Sequence, residues 1–459
     1  MLKQDVAQAV IVEALKTGGD FAEIFLEDRL NNNIQMLSGK VESVNSRRLH
    51  GAGVRVFLGF QGVYVYTNDT SPEGMLACAR RAASAIAGQK QSAARGLVWQ
   101  DTPTIHSIRE IPSGVKSSRK VEKMKAAQAV LKETAEIVQA SINYMDSVQR
   151  VWIANSEGLF TSDTRVYTRF SVGAIASNGT ENQTGSCSPG AMQGFEVFDS
   201  RIDPETVARE AAHQAVTMLH APDCPAGQMP VVIGNGFGGV IFHEACGHSL
   251  EATSVAVGNS EFCGKLGQKI AADCVTAVDD GTIPNEWGSL NIDDEGTPTT
   301  RLILIENGVL KNYMIDKLNA RRMQMPITGS GRRQGYMFAP TSRMRNTYIA
   351  AGQDDDDEMI ANMGDGLYAK RMGGGSVEPT TGKFNFAVNE GYLVKDGKIV
   401  HPVRGASLIG RGSEILLKID RVGKDMQMAQ GMCGSLSGSI PTNVGQPMIR
   451  VSSMTVGGR

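Results

Sequence analysis

Two histidines and one glutamate within a nine-residue stretch carry the side chains best suited to hydrolytic chemistry. The stretch reads HEACGHSLE from His243 to Glu251, with Glu244 directly after the first histidine and His248 five residues beyond it. Imidazole nitrogens bind zinc, and a glutamate beside the first ligand can act as a general base toward water. These residue types predict a metal site in which His243 and His248 are ligands and Glu244 is the catalytic base.

The spacing of the two histidines does not fit a regular α-helix. Side chains four residues apart lie within about 40° of each other around a helix, whereas side chains five apart diverge by about 140°. A π-helical turn absorbs one extra residue and returns both side chains to one face. We therefore expect a π-distortion around Cys246 and Gly247, where glycine lowers the steric cost. The alternative is a regular helix with two unrelated histidines and a surface glutamate.

The turn before this segment has the pattern of a dinucleotide-binding loop. Gly234, Gly236 and Gly239 match G-x-G-x-x-G after an apolar strand, and Glu261 lies about 20 residues beyond them. The chain beyond this turn is rich in short strands and lacks a second crossover helix, which disfavours a nucleotide-binding fold. We interpret the glycines as allowing the metal-binding helix to pack tightly on its strand.

Composition describes an ordinary soluble globular protein. The 459 residues suffice for two or three domains, and 41% of them are hydrophobic while 20% are charged. The 52 glycines favour a strand-rich architecture, and a net charge of −2 gives no reason to expect nucleic acid or a membrane as a partner. Neither a signal peptide nor an apolar run of about 18 residues is apparent. Seven scattered cysteines do not indicate a disulfide framework, so we expect a cytoplasmic protein.

The patterns divide the chain into three units and predict an α+β fold. Residues 1–112 and 113–228 each read as an α+β unit, joined by a polar linker at 89–112, and residues 229–459 read as a mostly-β domain whose conspicuous exception is the metal-binding helix. Helices are predicted at 2–17, from the cap Ser71 to Gly88, at 117–140, and from the cap Asp203 to about Leu219. Strands are predicted at 21–30, 34–45, 53–59, 62–67, 166–175, 301–306, 391–394 and 414–420, with a hairpin turn at Asn155–Gly158.

Several other polar groups have both a functional and a structural interpretation. The acidic run Asp354–Glu358 suggests a cation site but fits a helix N-terminus better. Asp293, Asp294 and Glu295 fit a turn or a supporting role near the metal. Gly373–Gly375 fits either an ordinary turn or close approach of a peptide backbone. A functional role for Arg321, Arg322, Arg332 and Arg333 would be to bind a substrate carboxylate, but we expect a solvated or interfacial face for them. We expect surface positions for His213 and His220, and small buried side chains for Cys187, Cys246, Cys263 and Cys274.

The third unit resembles the TldD/PmbA family of metallopeptidases, in particular its TldD-like branch, which retains a metal motif. Beyond HEACGHSLE, eight further segments carry the resemblance in order over about half of the chain, and the first two units resemble the family more loosely. The segments are VDDGT (278–282), IDDEGTP (292–298), IENGVLKNYMIDKLNAR (305–321), TGSGRR (328–333), GGG (373–375), GASLIGRG (405–412), CGSLSGSIPTNVGQP (433–447) and TVGG (455–458).

The resemblance implies a zinc peptidase with an HExxxH motif on a bent helix. In that family a cysteine near the C-terminus, in a glycine-flanked turn, is the third protein ligand, and Cys433 matches its position. One Zn²⁺ per chain is then held by His243, His248 and Cys433, with Glu244 as general base. Spacing alone does not single out Cys433 among the cysteines.

The resemblance also implies a peptide substrate, bound unfolded or short and in extended form, inside a dimer. The second subunit is either another copy or a metal-less PmbA/TldE-like paralogue. An alternative function is a non-catalytic peptide-binding or assembly subunit on the same fold. The sequence leaves open the natural substrate, the cleavage preference, and whether cleavage is internal or terminal.

Overall fold

A computed structural model describes residues 1–86, 88, 93–378 and 380–458 of the chain. Helices and one large sheet form the first half, and strands dominate the second half. The predicted α+β class with a mostly-β C-terminal region is therefore confirmed. Residues 89–92 of the predicted linker lie outside the described residues.

One eight-stranded sheet contains every strand of the first half that the structure describes. Its order is β3-β2-β1-β5-β6-β4, and β7 and β8 also pair with β6. The pairing of β1 with β5 joins residues from both proposed N-terminal units in one sheet. Two long strands, β1 and β2, replace the three short strands predicted between residues 21 and 59. The strands are β1 (Phe21–Leu37), β2 (Lys40–Leu58), β3 (Gln61–Thr67), β4 (Val98–Trp99), β5 (Ile137–Asn155), β6 (Leu159–Ser177), β7 (Asn182–Cys187) and β8 (Gly190–Ala191).

Five α-helices accompany this sheet within the described residues. The predicted caps are confirmed, since the side chains of Ser71 and Asp203 each accept a hydrogen bond from a first-turn backbone N–H. The helix predicted to reach residue 140 ends at Glu133, because the β-branched Ile137 and Val138 already belong to β5. The helices are α1 (Gln4–Ala14), α2 (Pro72–Ser84), α3 (Ser117–Glu133), α4 (Val197–Ser200) and α5 (Pro204–Leu219).

The second half combines a closed ring of strands with a six-stranded sheet. β16, β9, β23, β19 and β17 pair in that order, and the ring closes because β17 also pairs with β16. The six-stranded sheet has the order β12-β11-β10-β15-β22-β21, which leaves β21 at one edge. The strands are β9 (Gly227–Ile233), β10 (Ala277–Asp280), β11 (Arg301–Glu306), β12 (Val309–Leu310), β13 (Gly331–Arg332), β14 (Thr341–Ser342), β15 (Asn346–Ile349), β16 (Gly366–Glu378), β17 (Lys383–Lys395), β18 (Lys398–Val403), β19 (Ser407–Arg411), β20 (Ile419–Val422), β21 (Gln427–Ser435), β22 (Gly438–Gln446) and β23 (Ile449–Gly457).

Short helices are more numerous in the second half than the sequence indicates. Residues 414–418 of the strand predicted at 414–420 belong to α10, and only residues 419 and 420 belong to β20. The acidic run begins α9 as predicted, with the Asp355 side chain accepting from two backbone N–H groups. The helices are α6 (Val240–Phe242), α7 (Ala252–Val255), α8 (Lys317–Met323), α9 (Asp356–Ala361) and α10 (Gly412–Lys418).

Buried ion pairs join the two halves of the chain. Arg165 of β6 lies 2.6 Å from Asp294, Arg55 of β2 lies 2.6 Å from Glu295, and Arg333 lies 2.7 Å from Glu23 of β1. Arg332 and Arg333 are buried, so the prediction of a solvated face is wrong for both. The interfacial alternative fits Arg333, which pairs with Glu23 across the junction of the two halves. Desolvated arginines need nearby acceptors, and the carboxylates and carbonyl groups around this junction provide them. No helix of the described residues combines the length and the apolar character needed to span a membrane.

Candidate metal centre

A distorted helical segment positions the two histidines. It begins as α6, continues as a π-helical turn over His243–Gly247, and ends as a 3₁₀ turn over His248–Leu250. The predicted π-distortion is confirmed, and it starts at His243, three residues before Cys246. Gly247 has ordinary helical backbone angles, so the turn does not need glycine for its conformation. The requirement is space, because a Cβ at Gly247 would lie 2.3 Å from the Sδ atom of Met344.

The π-turn directs both imidazole rings toward Cys433 on β21. The Nε2 atoms of His243 and His248 each lie 3.3 Å from Cys433 Sγ. The two rings meet edge to face, with centroids 5.1 Å apart and an interplanar angle of 86°. Three potential ligand atoms from residues up to 190 positions apart therefore converge within 4.8 Å of one another.

The geometry and the donor set fit a zinc ion. Zinc–nitrogen and zinc–sulfur bonds of about 2.0 and 2.3 Å in a tetrahedron separate nitrogen from sulfur by about 3.5 Å, close to the 3.3 Å observed. Imidazole and thiolate are ligands that suit zinc, whereas magnesium prefers carboxylate and other oxygen ligands. Three protein ligands also leave one tetrahedral position for water or substrate, as in catalytic zinc sites.

The two histidines favour the thiolate form of Cys433. Burial by itself raises the pKa of this thiol, but the nearby His243 and His248, through their charge and hydrogen bonds, lower the pKa to about 4. Burial lowers the pKa of His248, whereas Glu251 and Cys433 raise it more strongly, so that the pKa lies well above its usual value. A thiolate is the form of cysteine that binds metal.

Glu251 orients the second histidine. Its Oε2 atom lies 3.2 Å from His248 Nδ1, on the side of the ring opposite Cys433. Burial raises the pKa of Glu251, but His248 and Arg343 outweigh that effect and lower the pKa. Such a carboxylate fixes the tautomer and the orientation of a metal-binding imidazole. The sequence interpretation did not assign this role, although a carboxylate three residues after a candidate ligand was a signal for it.

Arg343 holds the hairpin that carries Cys433. Its guanidinium is fully buried and donates to the carbonyl oxygen of Cys433 at 2.6 Å, to Ser437 Oγ at 2.9 Å and to the carbonyl of Gly438 at 3.0 Å. Its Nε atom also lies 3.7 Å from Glu251 Oε1. Arg343 therefore connects both sides of the centre, and because it lies 90 residues from Cys433, no local pattern indicates it.

Glu244 lies next to the histidines at the more open side of the centre. Its side chain is 27% exposed, and its Oε2 atom is 3.7 Å from His248 Nε2. The ligand nitrogen of His248 and the carboxylate of Glu244 therefore lie on the same side of the segment. A carboxylate in this position can accept a proton from a water molecule bound between the histidines.

A cavity of about 770 Å³ lies along the edge strand β21, beside the residues that lead to Cys433. Gln427–Met432, which directly precede Cys433, form one wall, and the turn Gly236–Gly238 forms another. Gly373 and Gly374 also line it, within an irregular stretch where the β16–β17 register shifts. The interpretation of Gly373–Gly375 as an ordinary turn is therefore wrong, since these residues belong to a strand.

The glycine-rich turn packs against neighbouring backbone. A Cβ at Gly234 would lie 2.3 Å from the carbonyl oxygen of Lys370 in β16, and one at Gly239 would lie 2.5 Å from that of Gly445 in β22. Both glycines therefore allow close packing, but against β16 and β22. The prediction that they let the metal-binding helix pack on its own preceding strand is not confirmed by these contacts.

The remaining candidates from the sequence are not among the three converging ligand atoms. Asp293 accepts hydrogen bonds from the backbone of its own turn, while Asp294 and Glu295 bind arginines at the junction of the two halves. His213 and His220 are exposed as predicted. Cys246 is fully buried as predicted, but Cys187 and Cys263 are only partly buried, and Cys274 is exposed. The prediction of burial is wrong for Cys274.

Comparisons with known proteins cover nearly the whole chain. Residues 226–458, 110–219 and 22–86 match the PmbA/TldA metallopeptidase C-terminal domain, central domain and domain 1. The chain is 36% identical to a metalloprotease TldD homologue of Haemophilus influenzae, over 96% of this chain and 93% of that protein. It is 32% identical to a metalloprotease of Methanothermobacter thermautotrophicus, over 96% of each chain. The fold matches the crystal structure of TldE from Thermococcus kodakarensis with a TM-score of 0.77 at 17% identity, over 99% of this chain and all of that one.

Proposed function

This chain belongs to the PmbA/TldD family of metallopeptidases, and we propose that it is a zinc-dependent peptidase. His243, His248 and Cys433 bind one zinc ion per chain, and Glu244 is the general base. The observation that carries the proposal is the position of Cys433 Sγ, 3.3 Å from each histidine Nε2, with the Glu244 carboxylate 3.7 Å from His248 Nε2.

The protein side chains divide the catalytic work. Zinc bound here would lower the pKa of a water molecule and polarise the scissile carbonyl. Glu244 accepts the proton of the attacking water and then donates it to the leaving amine. Glu251 keeps the Nε2 atom of His248 directed toward the metal by accepting the Nδ1 proton. Arg343 fixes the backbone of Cys433 and thereby the position of the thiolate.

The substrate class we propose is an unfolded or short peptide in extended conformation. Among the described residues, β21 pairs with β22 alone and is the terminal strand of its sheet. An extended peptide can bind along such an edge through main-chain hydrogen bonds, which do not depend on side-chain identity. The cavity beside Gln427–Met432 gives room for that peptide, and Gly373 and Gly374 allow its backbone to approach closely.

We also propose that the active form is a dimer in the cytoplasm, with either a second copy or a metal-less relative as partner. The match to TldE over the whole chain supports a partner built on the same fold. Exposed apolar side chains on both sides of Cys433 support a contact there, because Met432 before it is 47% exposed and Leu436 after it is 81% exposed. Seven cysteines without a disulfide in the structure are consistent with a reducing compartment.

Hydrolysis of an unstructured peptide tests the proposal. The zinc-loaded protein should cleave the peptide, and Glu244→Ala should abolish cleavage while still binding zinc. Unchanged cleavage by Glu244→Ala would show that the base is misassigned. Peptide binding and stoichiometric zinc without any cleavage, with or without the relative as partner, would instead favour a non-catalytic peptide-binding subunit.

A further inference from the structure

Arg169 of β6 is a half-buried arginine in the wall of the large cavity. Its Nε atom donates to the carbonyl oxygen of Ser188 at 3.2 Å, and one terminal nitrogen donates to that of Gln430 at 3.4 Å. The guanidinium carbon lies 5.4 Å from the ring centre of Trp287. These contacts hold the group in place. A guanidinium has five N–H donors, so that up to three remain for a ligand.

The charges around the cavity leave Arg169 without a carboxylate partner. Lys370 lies 2.8 Å from Glu390, and Arg371 lies 3.3 Å from Glu210 and 3.2 Å from Glu390. Two cations are therefore matched by two carboxylates. Among the described residues, Arg169 has no carboxylate within ion-pair distance, so the cavity wall carries one uncompensated positive charge.

The position of Arg169 relates it directly to the metal centre. Gln430, which accepts its hydrogen bond, precedes Cys433 by three residues in β21. At about 3.3 Å per residue, three residues of a strand span about 10 Å. A peptide extended along β21 with its scissile bond at the metal would place a group about three residues away beside this guanidinium.

We infer that Arg169 binds a carboxylate of the peptide substrate about three residues from the scissile bond and so determines specificity. The inference rests on the proposed peptidase function. The carboxylate is either an aspartate or glutamate side chain or the C-terminal carboxylate of the peptide. A planar guanidinium with free parallel N–H groups is suited to bidentate carboxylate recognition. The burial that lowers the pKa of Arg169 also reduces the competition of water for that contact.

Cleavage of matched peptides tests the inference and distinguishes the two carboxylate sources. The zinc-loaded full-length protein is assayed on one unstructured peptide and on versions with a single glutamate replaced by glutamine, or with the C-terminal carboxylate replaced by an amide. We expect one of these neutral replacements to lower kcat/KM about tenfold or more, mainly through KM, since a hydrogen bond to a charged group is stronger than one between neutral groups. The replacement that does so identifies the source.

In Arg169→Gln, the ratio of kcat/KM for the charged peptide to kcat/KM for the neutral peptide should be close to one. Arg169→Lys should retain part of the preference, and Arg209→Gln on the exposed face of α5 should retain all of it. A variant that merely damaged β21 would slow cleavage of both peptides equally and leave the ratio of their kcat/KM values unchanged. Equal cleavage of all peptides by the unmodified protein, or a preference that persists in Arg169→Gln, would overturn the inference but not the peptidase function. Absence of cleavage of every peptide by the unmodified protein would overturn both.

Discussion

His243 and His248 are separated by five positions, and yet their rings meet at 5.1 Å and direct both Nε2 atoms to one sulfur atom. A regular helix would turn them about 140° apart. The π-turn over His243–Gly247 removes that divergence. The metal centre therefore depends on a local backbone distortion that the surrounding side chains must accommodate.

Substitution of Gly247 should destabilise the π-turn through overpacking. In Gly247→Ala the new methyl group would lie 2.3 Å from Met344 Sδ, and Met344 is only 1% exposed. We expect a loss of about 1–3 kcal/mol in the free energy of unfolding, measured by urea denaturation. In a cycle with Met344→Ala, the double variant should be more stable than the sum of the single effects predicts. Additive effects would show that the two positions do not clash.

Loss of the Glu251 charge should weaken zinc binding. Glu251→Gln keeps the size and an acceptor oxygen but removes the negative charge 3.2 Å from His248 Nδ1. The dissociation constant for zinc, measured by competition with a chelator, should rise about 10–100-fold. Glu205→Gln, at an exposed position of α5, is the matched control and should leave the constant unchanged. Equal affinities in the two variants would contradict the orienting role.

Replacement of Arg343 should loosen the hairpin that carries Cys433. A lysine cannot donate to Cys433, Ser437 and Gly438 in the geometry of the guanidinium. We expect Arg343→Lys to lose on the order of 3 kcal/mol in the free energy of unfolding. Amide hydrogen exchange in residues 433–438 should also accelerate in the native state. The exposed Arg421→Lys serves as control, and unchanged exchange in Arg343→Lys would contradict the prediction.

The buried carboxyl group of Glu295 should make stability depend on pH. The pKa of Glu295 is raised to about 8, because burial and the neighbouring Asp316, Asp293 and Glu23 raise it by more than Arg55 lowers it. A raised folded pKa stabilises the protein below the unfolded pKa of about 4.3, and this contribution is lost as the pH rises toward 8. Glu295→Gln does not titrate, so its stability relative to the unmodified protein should increase from pH 5 to pH 8.

The slope of that increase can be at most about 1.4 kcal/mol per pH unit for one proton. Urea unfolding of both proteins at several pH values measures it. The free energy of unfolding of Glu205→Gln should differ from that of the unmodified protein by a constant amount over the same pH range. If the difference for Glu295→Gln is also constant, Glu295 is ionised over the whole range.

Local signals predicted local structure well. Ser71 and Asp203 cap their helices, and the five-residue spacing of the histidines led to the π-turn, because both depend on neighbours in the sequence. The end of α3 was misjudged, since Ile137 and Val138 continue an apolar pattern that also suits a strand. Pairing within the sheet, which depends on residues distant in the sequence, determines that Ile137 and Val138 form a strand and not a helix.

Long-range contacts could not be predicted from spacing. Cys433 was identified by resemblance, and the hydrogen bond of Arg343 to its carbonyl group joins positions with no shared pattern. Arg332 and Arg333 appeared to be surface residues because their carboxylate and carbonyl partners lie far away in the sequence. The charge that Arg169 adds to the cavity could not be predicted, because it depends on the contact between β6 and β21, which are far apart in the sequence.

X-ray absorption at the zinc edge of the zinc-loaded protein tests whether His243, His248 and Cys433 together bind one zinc ion. We expect one zinc per chain with a single sulfur neighbour at about 2.3 Å and nitrogen or oxygen neighbours at about 2.0–2.1 Å. The sulfur contribution should disappear in Cys433→Ser. A spectrum without sulfur, or a sulfur contribution that persists in Cys433→Ser, would show that Cys433 is not the zinc ligand.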